Sequence, residues 1–251
     1  MCHTDVPAGQ TAPKVNSEEV TVPAANGEEM PCLLATGSTG NGAGVVVVPD
    51  MFGRSPFYEH LTALLADAGY AVLLVDYFFR QDELTEAGPG PAMARRGQLD
   101  ETQSVEDIDK ARTWLATRTE DRVGVVGFCM GGTFVLDLAS QGADIAGVAY
   151  YGFPVPQAAL KQPPPRPIDL VDHLQGPVLA FWGDQDETVG LDNAKDYIER
   201  ANKVNPQFES EILPGLAHGF LGNADLTDSA DAGGKTWART LEFLSTNLGA
   251  N

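Results

Sequence analysis

Short unbroken apolar runs punctuate the chain, and stretches with helical spacing separate them. Val45 to Val48, Ala71 to Val75, Val123 to Val126, Ile145 to Tyr150 and Val178 to Phe181 are such runs. Continuous apolar runs of this length suit parallel strands buried on both faces. Phe208 to Leu213 reads as a last strand. Between the runs, Phe57, Leu61, Leu64, Leu65 and Ala68 recur at helical spacing. Val105, Ile108, Ala111, Trp114 and Leu115 do the same within a helix over Ser104 to Thr117. Further helices are predicted over Gly131 to Ser140, Asn193 to Asn202 and Lys235 to Asn247. Ahead of the alternation, Val20 to Val22 and Met30 to Leu34 flank Asn26-Gly27, a hairpin signal. The small polar stretch Thr36 to Gly44 is expected to be a loop. The pattern predicts an α/β fold, a mostly parallel sheet covered by helices on both faces. Residues 1–16 read as a flexible tail and residues 17–251 as one domain. The Pro-rich segment from Phe153 to Pro177 interrupts the alternation. It reads as a domain linker or, better, as an excursion near the mouth of a site, because the alternation resumes directly after it.

In such sheets ligands bind beyond the carboxyl ends of the strands, which directs attention to the loops that follow them. Gly127-Phe128-Cys129-Met130-Gly131-Gly132 follows a strand and opens a helix, the setting of a nucleophile elbow. The elbow is a tight, strained turn, so the residues two before and two after the nucleophile must be small, and Gly127 and Gly131 are. Cys129 would project above the sheet, where the helix N-terminus favours its thiolate. The Met130 N–H would point into an oxyanion site. Cys2 and Cys32 have no such context and read as ordinary cysteines.

Gly183-Asp184-Gln185-Asp186 follows the Val178 to Phe181 run and places two carboxylates at a strand end. Asp186 is the better acid, because Gly-x-x-Asp gives the turn room to swing the carboxylate across; Asp184 is the alternative. Of the four histidines, His3 falls in the tail, His60 in a helical stretch and His173 in the Pro-rich segment. Only His218 lies on a loop after a late strand. Nucleophile, acid, histidine is the chain order of an α/β-hydrolase fold. The second oxyanion donor is expected on the loop Pro49 to Gly53, with the Met51 N–H as candidate. Arg80, just past Asp76, is either a surface arginine or a holder of an anionic substrate group.

The net charge of −19 argues against nucleic acid or anionic membrane surfaces as partners, since phosphate binding needs cationic patches. Such acidity fits a high-salt cytoplasm or simply an acidic bacterial-type enzyme. No apolar run reaches the length of a membrane helix and the N-terminus lacks a signal-peptide pattern, so the expected location is cytoplasmic. Three scattered cysteines suggest neither a disulfide framework nor a metal site.

The chain resembles the dienelactone hydrolases (carboxymethylenebutenolidases). The likeness rests on Asn26-Gly27 before Met30-Pro31, Pro49 to Gly53, Asp76 to Arg80, Gly127 to Gly132, Tyr150-Tyr151-Gly152, Asp186, His218-Gly219-Phe220 and Trp237 to Thr240. The resemblance implies a Cys129–His218–Asp186 triad, an acyl-enzyme, no cofactor and a small-molecule ester or lactone substrate. It assigns Met51 and Met130 to the oxyanion hole and Asp50, Arg80 and Tyr151 to the substrate side. Two positions depart from the family pattern. Asp50 stands where the family has a Glu beside the thiol, and Gly222 where it has a second carboxylate-binding arginine. Other readings are a thioesterase or acyltransferase on the same triad, or a non-catalytic binding scaffold. The sequence leaves the oligomeric state open.

Overall fold

A computed structural model describes residues 3–7, 9–84, 88–119, 123–143, 145–156 and 165–249. Eight strands form one sheet in the order β1-β2-β4-β3-β5-β6-β7-β8. They are β1 (Asn16–Pro23), β2 (Glu29–Thr36), β3 (Gly44–Val48), β4 (Ala71–Val75), β5 (Val123–Phe128), β6 (Ala146–Tyr150), β7 (Val178–Gly183) and β8 (Phe208–Leu213). The β1–β2 hairpin joins antiparallel to β4, and every pairing from β4 to β8 is parallel. Its turn closes by Gly27 N–H donating to the Ala24 carbonyl at 3.0 Å, with Gly27 at φ 84°.

The helices are α1 (Pro56–Asp67), α2 (Pro89–Arg96), α3 (Glu101–Ala116), α4 (Met130–Ser140), α5 (Pro167–Leu170), α6 (Leu191–Val204) and α7 (Ala232–Leu248). The strands β3, β5, β6 and β7 are buried at every position, as sheets covered on both faces require. The parallel β-strand and long-helix pattern of the sequence reading matches, and the fold is α/β.

Three features differ from that reading. The helix α2 lies in a stretch to which the sequence pattern assigned no element; Pro89 sits at its start, where a missing N–H breaks no helical bond. Second, α5 begins at Pro167 within the Pro-rich segment, by the same allowance. Residues 157–164 of that segment lie outside the described residues. Third, the start of the chain, assigned above to a flexible tail, packs on the body. His3 is 4 % exposed, and its backbone N–H donates to the Asp50 carboxylate at 2.7 Å. The Ser55 hydroxyl donates to the His3 carbonyl at 2.8 Å. Farther along, the Gln10 amide donates to the Ala224 carbonyl at 2.6 Å. A polar, Pro-containing composition reads as disordered only when nothing receives it; here specific acceptors and an aromatic cleft do.

Candidate active site

Cys129 sits between the end of β5 and the start of α4 with φ 56° and ψ −115°. A non-glycine residue held there stores roughly 1–3 kcal/mol of backbone strain, so the surroundings must fix it. Its N–H donates to the Tyr150 carbonyl at 2.9 Å, and its carbonyl accepts from Thr133 N–H at 3.1 Å. The glycines explain the motif's spacing. A methyl group on Gly127 would fall onto the Gly131 carbonyl, and one on Gly131 onto the Val48 and Pro49 carbonyls. Gly131 thus presses the elbow against the end of β3. That contact sets Pro49, which opens the 49–53 loop, against the start of α4.

The 49–53 loop is itself tightly held. Gly53 N–H donates to the Asp50 carbonyl at 2.9 Å, and Phe52 N–H to the Asp50 carboxylate at 2.8 Å. The Tyr77 hydroxyl lies 2.6 Å from the Asp50 carbonyl and 2.9 Å from that of Pro49. Burial, with the Asp50 and Cys129 charges adding, pushes the Tyr77 phenol well up, which keeps it a neutral donor. From outside, the Arg95 guanidinium donates to the Phe52 carbonyl at 2.7 Å and stacks 4.0 Å over the Phe78 ring.

On the other side of the elbow, the loops after β7 and β8 interlock. Gly183 permits this, because a methyl group there would overlap the Leu216 carbonyl. Gln185 N–H donates to that carbonyl at 2.9 Å. The result is a carboxylate–imidazole pair, with Asp186 Oδ2 at 2.8 Å from His218 Nδ1. The other Asp186 oxygen accepts from Thr188 N–H at 3.0 Å and Val189 N–H at 2.9 Å. Asp186 itself is buried. Asp184, the alternative acid, instead accepts from Gly215 N–H at 2.7 Å and holds the β8 loop.

These loops meet the sheet's carboxyl edge through two aromatic residues. Tyr151, at φ 41°, places its ring 5.1 Å from that of His218, and Phe153 lies 5.4 Å from it. The Thr133 hydroxyl accepts from Phe153 N–H at 2.8 Å, tying this loop to α4. A profile of the Dienelactone hydrolase family matches residues 30–248. The chain belongs to the dienelactone hydrolase family. A carboxymethylenebutenolidase of Rhodococcus opacus is 34 % identical to it, with 99 % of this chain and 98 % of that protein covered. Carboxymethylenebutenolidase 2 of Cupriavidus pinatubonensis is 32 % identical, covering 92 % of this chain and 93 % of its own. A crystal structure from Klebsiella pneumoniae that carries the family's name superposes with a TM-score of 0.80. It is 23 % identical and covers 93 % of this chain and 99 % of its own. Membership makes this chain a dienelactone hydrolase-like hydrolase with the α/β-hydrolase fold.

One candidate stands apart from the others. Arg80, expected on the substrate side, binds Asp107 at 2.5 Å, Asn26 at 3.0 Å and the Glu28 carboxylate. Its donors are committed to the hairpin and α3, which turns it from the loops that carry Asp186 and His218. Other arginines lie nearer the site. Arg95 braces the Asp50 loop, and buried Arg96 pairs with Glu101 at 3.2 Å while lying 6.0 Å from the Phe153 ring. Arg166 closes the same buried network on Glu101 at 2.6 Å. His3 was the other omission; its neighbours lie far away in the sequence, so no local signal points to it. Among the described residues no three His, Cys, Asp or Glu side chains converge as a metal site, and no helix is long and apolar enough to cross a membrane.

Proposed function

We propose that this dienelactone hydrolase relative cleaves a small carboxylic ester or lactone through an acyl-enzyme on Cys129. The reading rests above all on the Asp186–His218 pair at the strand ends next to the strained Cys129 elbow. Asp186 fixes the imidazole so that Nδ1 carries the proton and Nε2 is left to work as base. In the first half-reaction the Cys129 thiol proton goes to His218 and the sulfur attacks the carbonyl carbon. The tetrahedral oxyanion is received by the Met51 and Met130 N–H groups. Collapse breaks the carbon–oxygen bond, and His218 returns the proton to the departing alkoxide. Water then loses a proton to His218 as it attacks the thioester, and the thiol is restored as the acid leaves. In a lactone the alcohol and acid products remain one molecule.

The test measures turnover of p-nitrophenyl acetate and of cis-dienelactone by the wild-type protein and by Cys129→Ala. Loss of both activities in the variant, with an unchanged melting temperature, is the expected result. A variant that keeps the wild-type rate would remove Cys129 from the mechanism.

A further inference from the structure

His3 is built into the same end of the sheet as the candidate catalytic groups, although it comes from the first residues of the chain. Its imidazole Nε2 is 2.7 Å from the Tyr151 hydroxyl, and Tyr151 is the ring that stands against His218. Its backbone N–H is held by the Asp50 carboxylate, on the loop that carries Met51. The ring lies 4.3 Å from that of Phe57. It also fills the space above Gly222. A methyl group built on Gly222 would come to 2.5 Å from His3 Nδ1, so a side chain at 222 and His3 in its place exclude each other. One residue therefore bridges the Asp50 loop, the Tyr151 loop and the turn that follows His218.

We propose that His3 is a positioning residue for the hydrolase site, and that by holding Tyr151 and covering Gly222 with its ring it biases the enzyme toward substrates without a carboxylate. The inference rests on the hydrolase reading above. Burial first, with nearby positive charge including His218 adding, lowers the His3 pKa to about 3, so the ring is neutral at any ordinary assay pH. A neutral imidazole bonded to a tyrosine offers an anion no compensating charge. An ester with an uncharged acyl group needs none, and it meets a ring whose Nε2 already has Tyr151 as its partner.

The experiment compares kcat and KM for a neutral ester, p-nitrophenyl acetate, and a carboxylate-bearing one, the p-nitrophenyl monoester of glutaric acid. The proteins are wild type, His3→Ala, His3→Gln, Tyr151→Phe and the His3→Ala/Tyr151→Phe double variant, each with its melting temperature. Removing one neutral hydrogen bond from a positioned group corresponds to about 5- to 10-fold. We expect His3→Ala to lower kcat/KM for the neutral ester by that factor, mostly through KM, and to narrow the preference over the charged ester. His3→Gln should recover most of the loss, because its amide can reach the Tyr151 hydroxyl. The double variant should lose little more than Tyr151→Phe alone. Equal loss on both esters that follows the fall in melting temperature, or no change in either constant, would overturn the role of His3. A wild-type protein that hydrolyses neither ester nor lactone would overturn the hydrolase reading instead.

Discussion

Two carboxylates separated by one residue do different work in this protein. Asp186 accepts from two backbone N–H groups on one oxygen and binds His218 with the other, whereas Asp184 ties down Gly215. Asp186→Asn should therefore keep the fold and lower kcat by about 10²- to 10⁴-fold, since an amide orients the imidazole in the wrong tautomer. Asp184→Asn should cost far less, and steady-state kinetics of the pair checks the ranking. Similar losses in both variants would argue for a general loosening of the loops. The cysteines are separated in the same way. Burial pushes the Cys32 thiol up to about 12, so it remains protonated and inert. Iodoacetamide is expected to inactivate the native protein in step with modification of Cys129, with peptide mapping finding Cys32 untouched. The placing of Asp186 opposite a histidine was legible from Gly-x-x-Asp after a strand, because turn geometry is local. The fate of Arg80 was not. Its partners Glu28 and Asp107 lie 52 and 27 residues away, and only the folded sheet brings the hairpin and α3 to it.

At the level of elements, the turn at Cys129 is a packing device. Gly127, Gly131 and Gly132 let the start of α4 sink against β5, the end of β3 and the Tyr150 carbonyl, with a methyl on Gly132 reaching 2.7 Å from the last. Gly131→Ala must displace backbone, not a flexible side chain, and overpacking of this kind costs roughly 1–3 kcal/mol or more. The variant should melt several degrees lower and lose activity out of proportion to that fall, because the same shift displaces the turn that holds Cys129. Thermal melts and kcat/KM on one preparation measure both. The five-residue strands were readable because a sheet covered on both faces demands unbroken apolar runs. Helix α2 was missed, because Pro and Gly at its start mark loops as well as helix beginnings; in the fold its Arg95 docks on the Phe52 carbonyl. The N-terminal segment has no periodicity at all; it is ordered by acceptors that other elements supply.

Over the whole molecule, the acid response combines many carboxylates with one unusual histidine. An unfolded His3 takes up its proton near 6.5, but the folded one does so only near 3. Below pH 6.5 the unfolded state therefore binds more protons, and stability falls as the pH drops from 6.5 toward 3. At pH 5 this group alone should remove roughly 2 kcal/mol relative to pH 8, a few degrees in Tm. The groups facing the ring are Tyr151, Phe57 and Tyr58, with His218 nearby and Asp50 on the backbone. His3→Gln cannot take up that proton, so its Tm should fall less steeply than that of wild type between pH 8 and pH 5. Parallel curves would mean that His3 does not titrate with folding. The docking of His3 also has a consequence in time. Its ring partner Tyr151 lies 148 residues downstream, and Gly222, over which it packs, is later still. A ribosome has released the first residues long before either exists. The opening segment must wait, undocked, while nearly the whole sheet is made, and its attachment is among the last steps of maturation. The newborn chain thus passes through a stage in which Cys129 has been made but Tyr151 and Gly222, on which His3 packs, have not.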